Sequence, residues 1–283
     1  MPAADTVASV NRETPLIFPI RHRLSRRILA MNRSLTSAVI VLALGATHAA
    51  RADEITIIAP GGIRAALTQI IPEFEKKTGH KVVATFGSGL GTKKQVAAGE
   101  PFDVTVVQPP YPEVLASGHV VASTATPLAS VSVGVAVKTG APKPDISTPE
   151  AVKKLLLTAK AISYPDPAGG AAAGVSFDET LKTLGIAEQM KSKMRPAQGG
   201  AGAMAMVAKG EVEVGLTFVS EITTEPGVES VGALPRSISP PTSLVGFVSA
   251  HAKSADLARA LLTYLSGPEA AAIYKARGMQ PGR

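Results

Sequence analysis

Cysteine and tryptophan are both absent from the 283 residues. Without cysteine there is no disulfide framework, thiol nucleophile, thiolate-ligated zinc or lipid-modified cysteine. Aromatic residues make up only 4% of the chain, which argues against a sugar site built on ring stacking and against a platform for single-stranded nucleic acid. Beyond residue 52 the only histidines are His80, His119 and His251, each beside a turn and none at metal-ligand spacing; they read as solvated loop residues, and no metal and no cofactor is expected. There is no G-x-S-x-G elbow, and Gly87-Ser-Gly-Leu-Gly-Thr-Lys resembles a P-loop only in composition, not in spacing. Excess charge is also missing where it would matter. The net charge is +7, but seven arginines against Asp5 and Glu13 put +5 of it in residues 1–52, leaving +2 on the rest. A nearly neutral body has no electrostatic footprint for nucleic acid.

What is present is a chain with 45% hydrophobic content, long enough for one or two packed domains. Its 26 glycines and 22 prolines follow no repeat, so they mark turns. Met31 opens a second plausible start. A short basic segment, an apolar run over residues 35–45 and Ala50-Arg51-Ala52 follow it, the pattern of a secretory signal peptide cleaved after Ala52. The run is too short to span a membrane. Residues 1–30 read as an upstream extension and residues 31–52 as the signal peptide. The mature chain is therefore expected in the periplasm, free of a lipid anchor.

From residue 54 onward, strand and helix patterns alternate. Residues 54–59 form a β-branched run, and residues 63–78 repeat apolar side chains at helical spacing, with Pro72 expected to kink or loosen the helix. Further strands are expected at 81–86, 102–107, 132–137, 161–164, 212–218, 228–231 and 244–248. Helices are expected through 95–98 and over 110–117, 150–159, 170–184, 201–209, 255–265 and 268–277. This order predicts an α/β fold of two lobes, each a mainly parallel sheet flanked by helices. The first lobe is expected over residues 53–133, the second over 134–243, and 244–283 returns to complete the first. The turn-rich stretch 140–145 is the most boundary-like segment in composition. A cleft between the lobes is the expected ligand site.

Three glycine-bearing loops each follow an expected strand and precede an expected helix: Pro60-Gly61-Gly62, Gly87-Ser88-Gly89, and Pro165 through Ala168-Gly169-Gly170. Helix N-termini carry unpaired N–H groups and partial positive charge, so the loops can converge on an anion, with the Ser88 hydroxyl as a further donor. Glycine also occurs in such turns for steric reasons alone. Arg64 is either a ligand for a carboxylate or a solvated cation at a helix start. Lys93, Lys94 and Arg195 read as surface residues, and Met194, Met204 and Met206 as packing. Asp103, Asp166 and Glu221 lie near strand ends, where a carboxylate base can operate; Asp103 reads rather as a loop anchor.

Four segments carry a family resemblance: residues 72–79, 87–104, 209–216 and 261–270. On them, nearly all of residues 54–281 resembles the molybdate-binding-protein-like family of periplasmic solute-binding proteins of ABC transporters. The resemblance implies a two-lobed periplasmic-binding-protein fold of type II, a monomer that closes on a small anion and delivers it to a membrane permease. In molybdate binders a serine in each of the first two loops holds the oxyanion. Ser88 matches the second, while Gly61-Gly62-Ile63 replaces the first, and a tyrosine common in a later strand is Phe218 here. With two hydroxyl donors gone, an organic carboxylate is expected ahead of a metal oxyanion, with Gly62, Ser88, Gly169 and Thr217 brought onto it. Other segments are similar to a branch that includes aconitate isomerase, an enzyme of the same fold: Gly61-Gly62-Ile63, residues 140–147, residues 219–222 and Pro226-Gly-Val. That branch implies the alternative of a cofactor-independent isomerase.

Overall fold

The computed structural model describes residues 53–282; the expected upstream extension and signal peptide lie outside the described residues. Apolar side chains at 63, 66, 67, 70, 71 and 74 give the long helix α1 (Gly61–Thr78) one buried face, which packs behind strands β1 (Glu54–Pro60) and β2 (Lys81–Gly87). Each fully buried Leu, Ile or Phe contributes roughly 1.5–3 kcal/mol. α1 runs through Pro72 as one element and ends on Gly79, which adopts the left-handed conformation at φ 76°.

The first sheet has six strands in the order β11-β4-β10-β3-β1-β2, adding β3 (Val104–Val107), β4 (Thr126–Val131), β10 (Thr242–Val248) and β11 (Gln280–Pro281). The second has five in the order β7-β6-β8-β5-β9: β5 (Val133–Lys138), β6 (Ile162–Pro165), β7 (Met194–Ala197), β8 (Val214–Phe218) and β9 (Val228–Ala233). The chain leaves the first sheet between Val131 and Val133 and returns between Ala233 and Thr242. Residues 140–145 join β5 to a helix of the second lobe, so they do not divide the sheets.

Both sheets are mixed rather than mainly parallel. β1 pairs parallel with β2 and β3, and β6 with β7 and β8, as strand–helix alternation requires. β10 runs antiparallel to β3 and β4, and β5 antiparallel to β8 and β9, because strands arriving from the other lobe enter in the opposite sense. Arg195 lies in edge strand β7, not in an interhelical loop; it is exposed, and its guanidinium donates to the Ser192 and Met194 carbonyls at 2.9 and 3.0 Å.

The remaining helices are α2 (Gly89–Ala97), α3 (Pro112–Ala116), α4 (Pro149–Thr158), α5 (Ala172–Thr183) and α6 (Ala187–Met190). They are followed by α7 (Gly199–Lys209), α8 (Val219–Ile222), α9 (Ala255–Leu265) and α10 (Pro268–Ala276). Asp103 fastens the first lobe internally. One carboxylate oxygen accepts from the backbone and hydroxyl of Thr56, both at 2.8 Å, and the other accepts from the Lys253 backbone at 2.7 Å. No helix among the described residues is long and apolar enough to cross a membrane.

Candidate functional site

Four helices, two from each lobe, begin at one cavity of about 1140 Å³ between the sheets. Its wall includes Gly61 and Gly62 of α1, Gly89 of α2, Ala172 and Ala173 of α5, and Gly199 and Gly200 of α7. None of these helices has an acidic residue in its first turn. α1, α5 and α7 also lack any side-chain cap, since Pro60, Ala171 and Gln198 make no capping bond. The helices that start elsewhere carry Glu113, Glu150, Glu188, Asp256 and Glu269 in their first turns, and the short helix α8, whose Phe218 and Glu221 line the same cavity, carries Glu221 in its own. N-terminal N–H groups normally find a cap or a carboxylate. Here the starts of α1 and α7 lie beside the Glu221 carboxyl, and the uncapped start of α5 opens on the cavity.

The glycines let the two lobes meet. A Cβ on Gly62 would lie 2.9 Å from the ring of Phe218, and the Gly62 carbonyl accepts a 2.8 Å bond from the Ser220 hydroxyl of the opposite lobe. Across the cleft, the Leu90 N–H donates to the Gly170 carbonyl at 3.1 Å; Gly170 holds φ 80°, open to glycine at little cost. A Cβ on Gly174 would lie 1.9 Å from the Pro165 carbonyl oxygen, so glycine there lets α5 press against the end of β6 and fixes the 165–171 loop.

The sequence-derived residues fall into two groups. Gly61, Gly62, Arg64, Ser88, Gly89, Gly169 and Phe218 all line the cavity. Ser88 caps α2 by accepting from the Gly91 N–H at 3.0 Å, which leaves its own proton free for another acceptor. Arg64 is exposed at the rim, its guanidinium 4.7 Å from the centre of the Phe86 ring. Ala168, Gly170 and Thr217 do not line the cavity. Ala168 is exposed, Gly170 contributes the interlobe bond, and Thr217 is fully buried with its hydroxyl given to the Glu221 carboxylate. Thr217 thus reaches a ligand only through Glu221.

Three further residues complete the lining. Gln108 follows β3, is 4% exposed, and its carboxamide nitrogen has no hydrogen-bond partner. A buried unpaired amide is costly, and the Gln108 side chain borders the cavity. Arg277, after α10, adds a second guanidinium. Glu221 lines the cavity from α8. Burial raises its carboxyl above the usual range, partly offset by bonds from the Thr217 hydroxyl and the Phe218 backbone and by the Arg64 charge. Asp166 also lines the cavity, its side chain turned to the Ala168 N–H at 2.9 Å. Among the described residues no group of three His, Asp or Glu side chains is placed to hold a metal. His119 and His251 face each other at 3.0 Å, an association their separation of 132 positions conceals in the sequence.

This geometry agrees with what the chain resembles. It is 31% identical over 233 residues to the aconitate isomerase of a Pseudomonas species, an alignment covering 80% of this chain and 87% of that protein. It is also 31% identical over 256 residues to molybdate-binding protein ModA of Azotobacter vinelandii, covering 88% and 98%. The solved periplasmic molybdate-binding protein of Azotobacter vinelandii shares the fold, with a TM-score of 0.67 at 21% identity, over 80% of this chain and 98% of that one. The family model described as bacterial extracellular solute-binding protein matches residues 55–280, almost everything from β1 to β11. The two-lobed mixed α/β frame runs through the whole of the matched stretch, and the chain belongs to the bacterial extracellular solute-binding protein family.

Proposed function

We propose that the protein binds a small organic carboxylate in the interlobe cleft, in the periplasm, and delivers it to the permease of an ABC transporter. The carrying observation is the set of four helices that open on the cleft without acidic first-turn residues, three of them uncapped. Arg64, Arg277 and the unpaired Gln108 amide add donors around them. Together they form a donor-rich cavity suited to an anion.

The cleft has room for an organic acid as well as for a tetrahedral oxyanion. Five heavy atoms fill on the order of 100 Å³, a few waters' worth, against a cavity of about 1140 Å³. A ligand with two or three separated carboxylates can reach both the helix ends and the guanidinium groups at once. The molybdate-binding relatives supply the transport reading, but the first-loop hydroxyl is replaced by Gly61-Gly62. Isothermal calorimetry with citrate, tricarballylate, cis- and trans-aconitate, molybdate, tungstate and sulfate tests the proposal. One-site binding of a carboxylate, tighter than any tetrahedral anion, is expected. Tight binding of molybdate alone would sink it.

Glu221 and the Pseudomonas relative favour a second reading, an isomerase acting on aconitate. A carboxylate at the cleft wall with a raised proton affinity can take a proton from the methylene carbon and return it to the former vinyl carbon, moving the double bond without cofactor. Absorbance change on mixing protein with either aconitate isomer distinguishes turnover from binding.

A further inference from the structure

Glu221 occupies an unexpected place for an anion site. It belongs to the short helix α8 of the second lobe, yet its oxygens stand beside the ends of two other helices. A Cβ on Gly61 of α1 would lie 3.3 Å from one carboxyl oxygen, and a Cβ on Gly200 of α7 would lie 2.6 Å from the other. Glycine at both positions leaves the space the carboxyl fills. α1 and α7 have neither caps nor acidic first-turn residues of their own, so Glu221 is the fixed acid at their ends. An anion bound in the same cavity meets this carboxyl at short range, with much of the intervening water excluded, and two ionised groups in that position repel strongly.

The neighbours do not cancel the repulsion. Arg64 of α1 and Arg277 after α10 are positive and line the cavity, while Glu225 beyond α8 and Asp166 across the cleft are negative. The other elements packed on α8 bring no counter-charge: Lys138 of β5 lies near Gly210, Glu229 of β9 pairs with Lys143, and the only ionisable side chain of α7 is Lys209 at its far end. A second polar side chain, Gln108 between Gly62 and Gly89, borders the same cavity with a buried amide nitrogen that has no partner. The site therefore contains a carboxyl that tolerates an anion only when a proton lies between them.

Building on the carboxylate-binding reading, we propose that Glu221 is the specificity residue of the cleft and that the anion enters together with one proton, held between the Glu221 carboxyl and the ligand. The neutral acid donates its hydrogen to the bound carboxylate, while Thr217 donates to the other oxygen of the pair. The direction in which burial moves the Glu221 carboxyl agrees with this. The sign follows directly. Below the titration of Glu221 the acid is neutral and the anion binds fully; above it, each pH unit costs about tenfold in affinity, because a proton must be drawn from solution.

The test is calorimetry on the full-length protein and on Glu221→Gln, from pH 5 to 9, with trans-aconitate and sulfate as probes, in buffers of different ionisation heat. Sulfate stays fully ionised over the whole range, and the trans-aconitate profile is read above about pH 7, since mutual repulsion lifts the last of its three carboxyls above the ordinary value. Wild-type protein is expected to lose trans-aconitate affinity about tenfold per pH unit in the upper range, with uptake approaching one proton. E221Q should be flat with pH, take up none, and bind sulfate more tightly than wild type at pH 8. Equal pH profiles for the two proteins, or binding without proton uptake at high pH, would overturn the proposal. If E221Q does not fold, Thr217→Val serves instead. Loss of that hydrogen bond favours the neutral acid, so its affinity loss should begin at higher pH than in wild type; an unmoved profile overturns the proposal. Failure of the carboxylate reading looks different, since no carboxylate would then bind wild type at any pH. In that case the infrared band of a protonated carboxyl, in the wild-type minus E221Q difference of the free proteins, still decides. A band that persists above the ordinary carboxyl range supports a proton on Glu221, and a band that vanishes within that range refutes it.

Discussion

Replacing Gly62 by alanine would put a methyl carbon 2.9 Å from Cδ2 and 3.2 Å from Cε2 of Phe218. Ordinary carbon contacts begin near 3.5 Å, so the overlap is about half an ångström. The ring cannot retreat, because Phe218 is 2% exposed and sits in the main core cluster. Overpacking of this kind costs about 1–3 kcal/mol. Gly62 is in the first lobe and Phe218 in the second, so the strain falls on the closed arrangement and not on either lobe alone. The expected result is a rise in Kd of about 5- to 150-fold for the ligand, the same energy expressed as affinity. Thermal unfolding of the ligand-free protein should change much less. Calorimetry measures the first, and scattering in solution reports whether the ligand still draws the lobes together. Unchanged affinity with unchanged compaction would refute the view that the Gly62–Phe218 contact belongs to the closed, ligand-bound form.

Gln108→Leu should weaken ligand binding while leaving the free protein as stable or more so, because it removes a buried donor that has no partner; chemical denaturation beside calorimetry separates the two effects. Arg64→Ala and Arg277→Ala should each lower anion affinity several-fold and flatten its dependence on salt, followed by titrations at increasing ionic strength. Asp103→Ala should do the reverse, lowering the unfolding free energy by about 1–3 kcal/mol through the Thr56 and Lys253 anchors, with little effect on affinity. Gly174→Ala, whose methyl would collide with the Pro165 backbone, should destabilise the second lobe, read as a lower urea midpoint.

Elements with strong periodicity were legible from the sequence. β1, α1 and β2 follow from a β-branched run, a helical apolar repeat and a glycine stop, and the structure places them within a residue or two. β4, β7 and β11 were not, because Pro127, Pro196 and Pro281 interrupt segments too short to show alternation; each is a strand because a neighbour in the sheet pairs with it. Pro72 was expected to disturb α1, but the buried face on either side holds the helix as one element. At the site, the glycine loops before helices lie along the interlobe cavity. Gln108 went unnoticed because Pro109-Pro110 made it look like ordinary loop; a lone polar residue ending the buried run of β3 was the available signal. Arg277 stands far from Arg64 in the chain, and only the return of α10 to the first lobe brings both to one cavity. Thr217 was expected on the ligand and instead holds Glu221, a distinction that depends on side-chain direction at the end of β8.

The central claim is that the cleft closes on an organic carboxylate. Calorimetric titration of the protein with trans-aconitate, citrate and molybdate side by side at pH 6 tests it most directly. The account predicts one-site binding of a carboxylate with molybdate weaker by at least about tenfold, a difference of about 1.4 kcal/mol. Saturable molybdate binding with both carboxylates silent would contradict it.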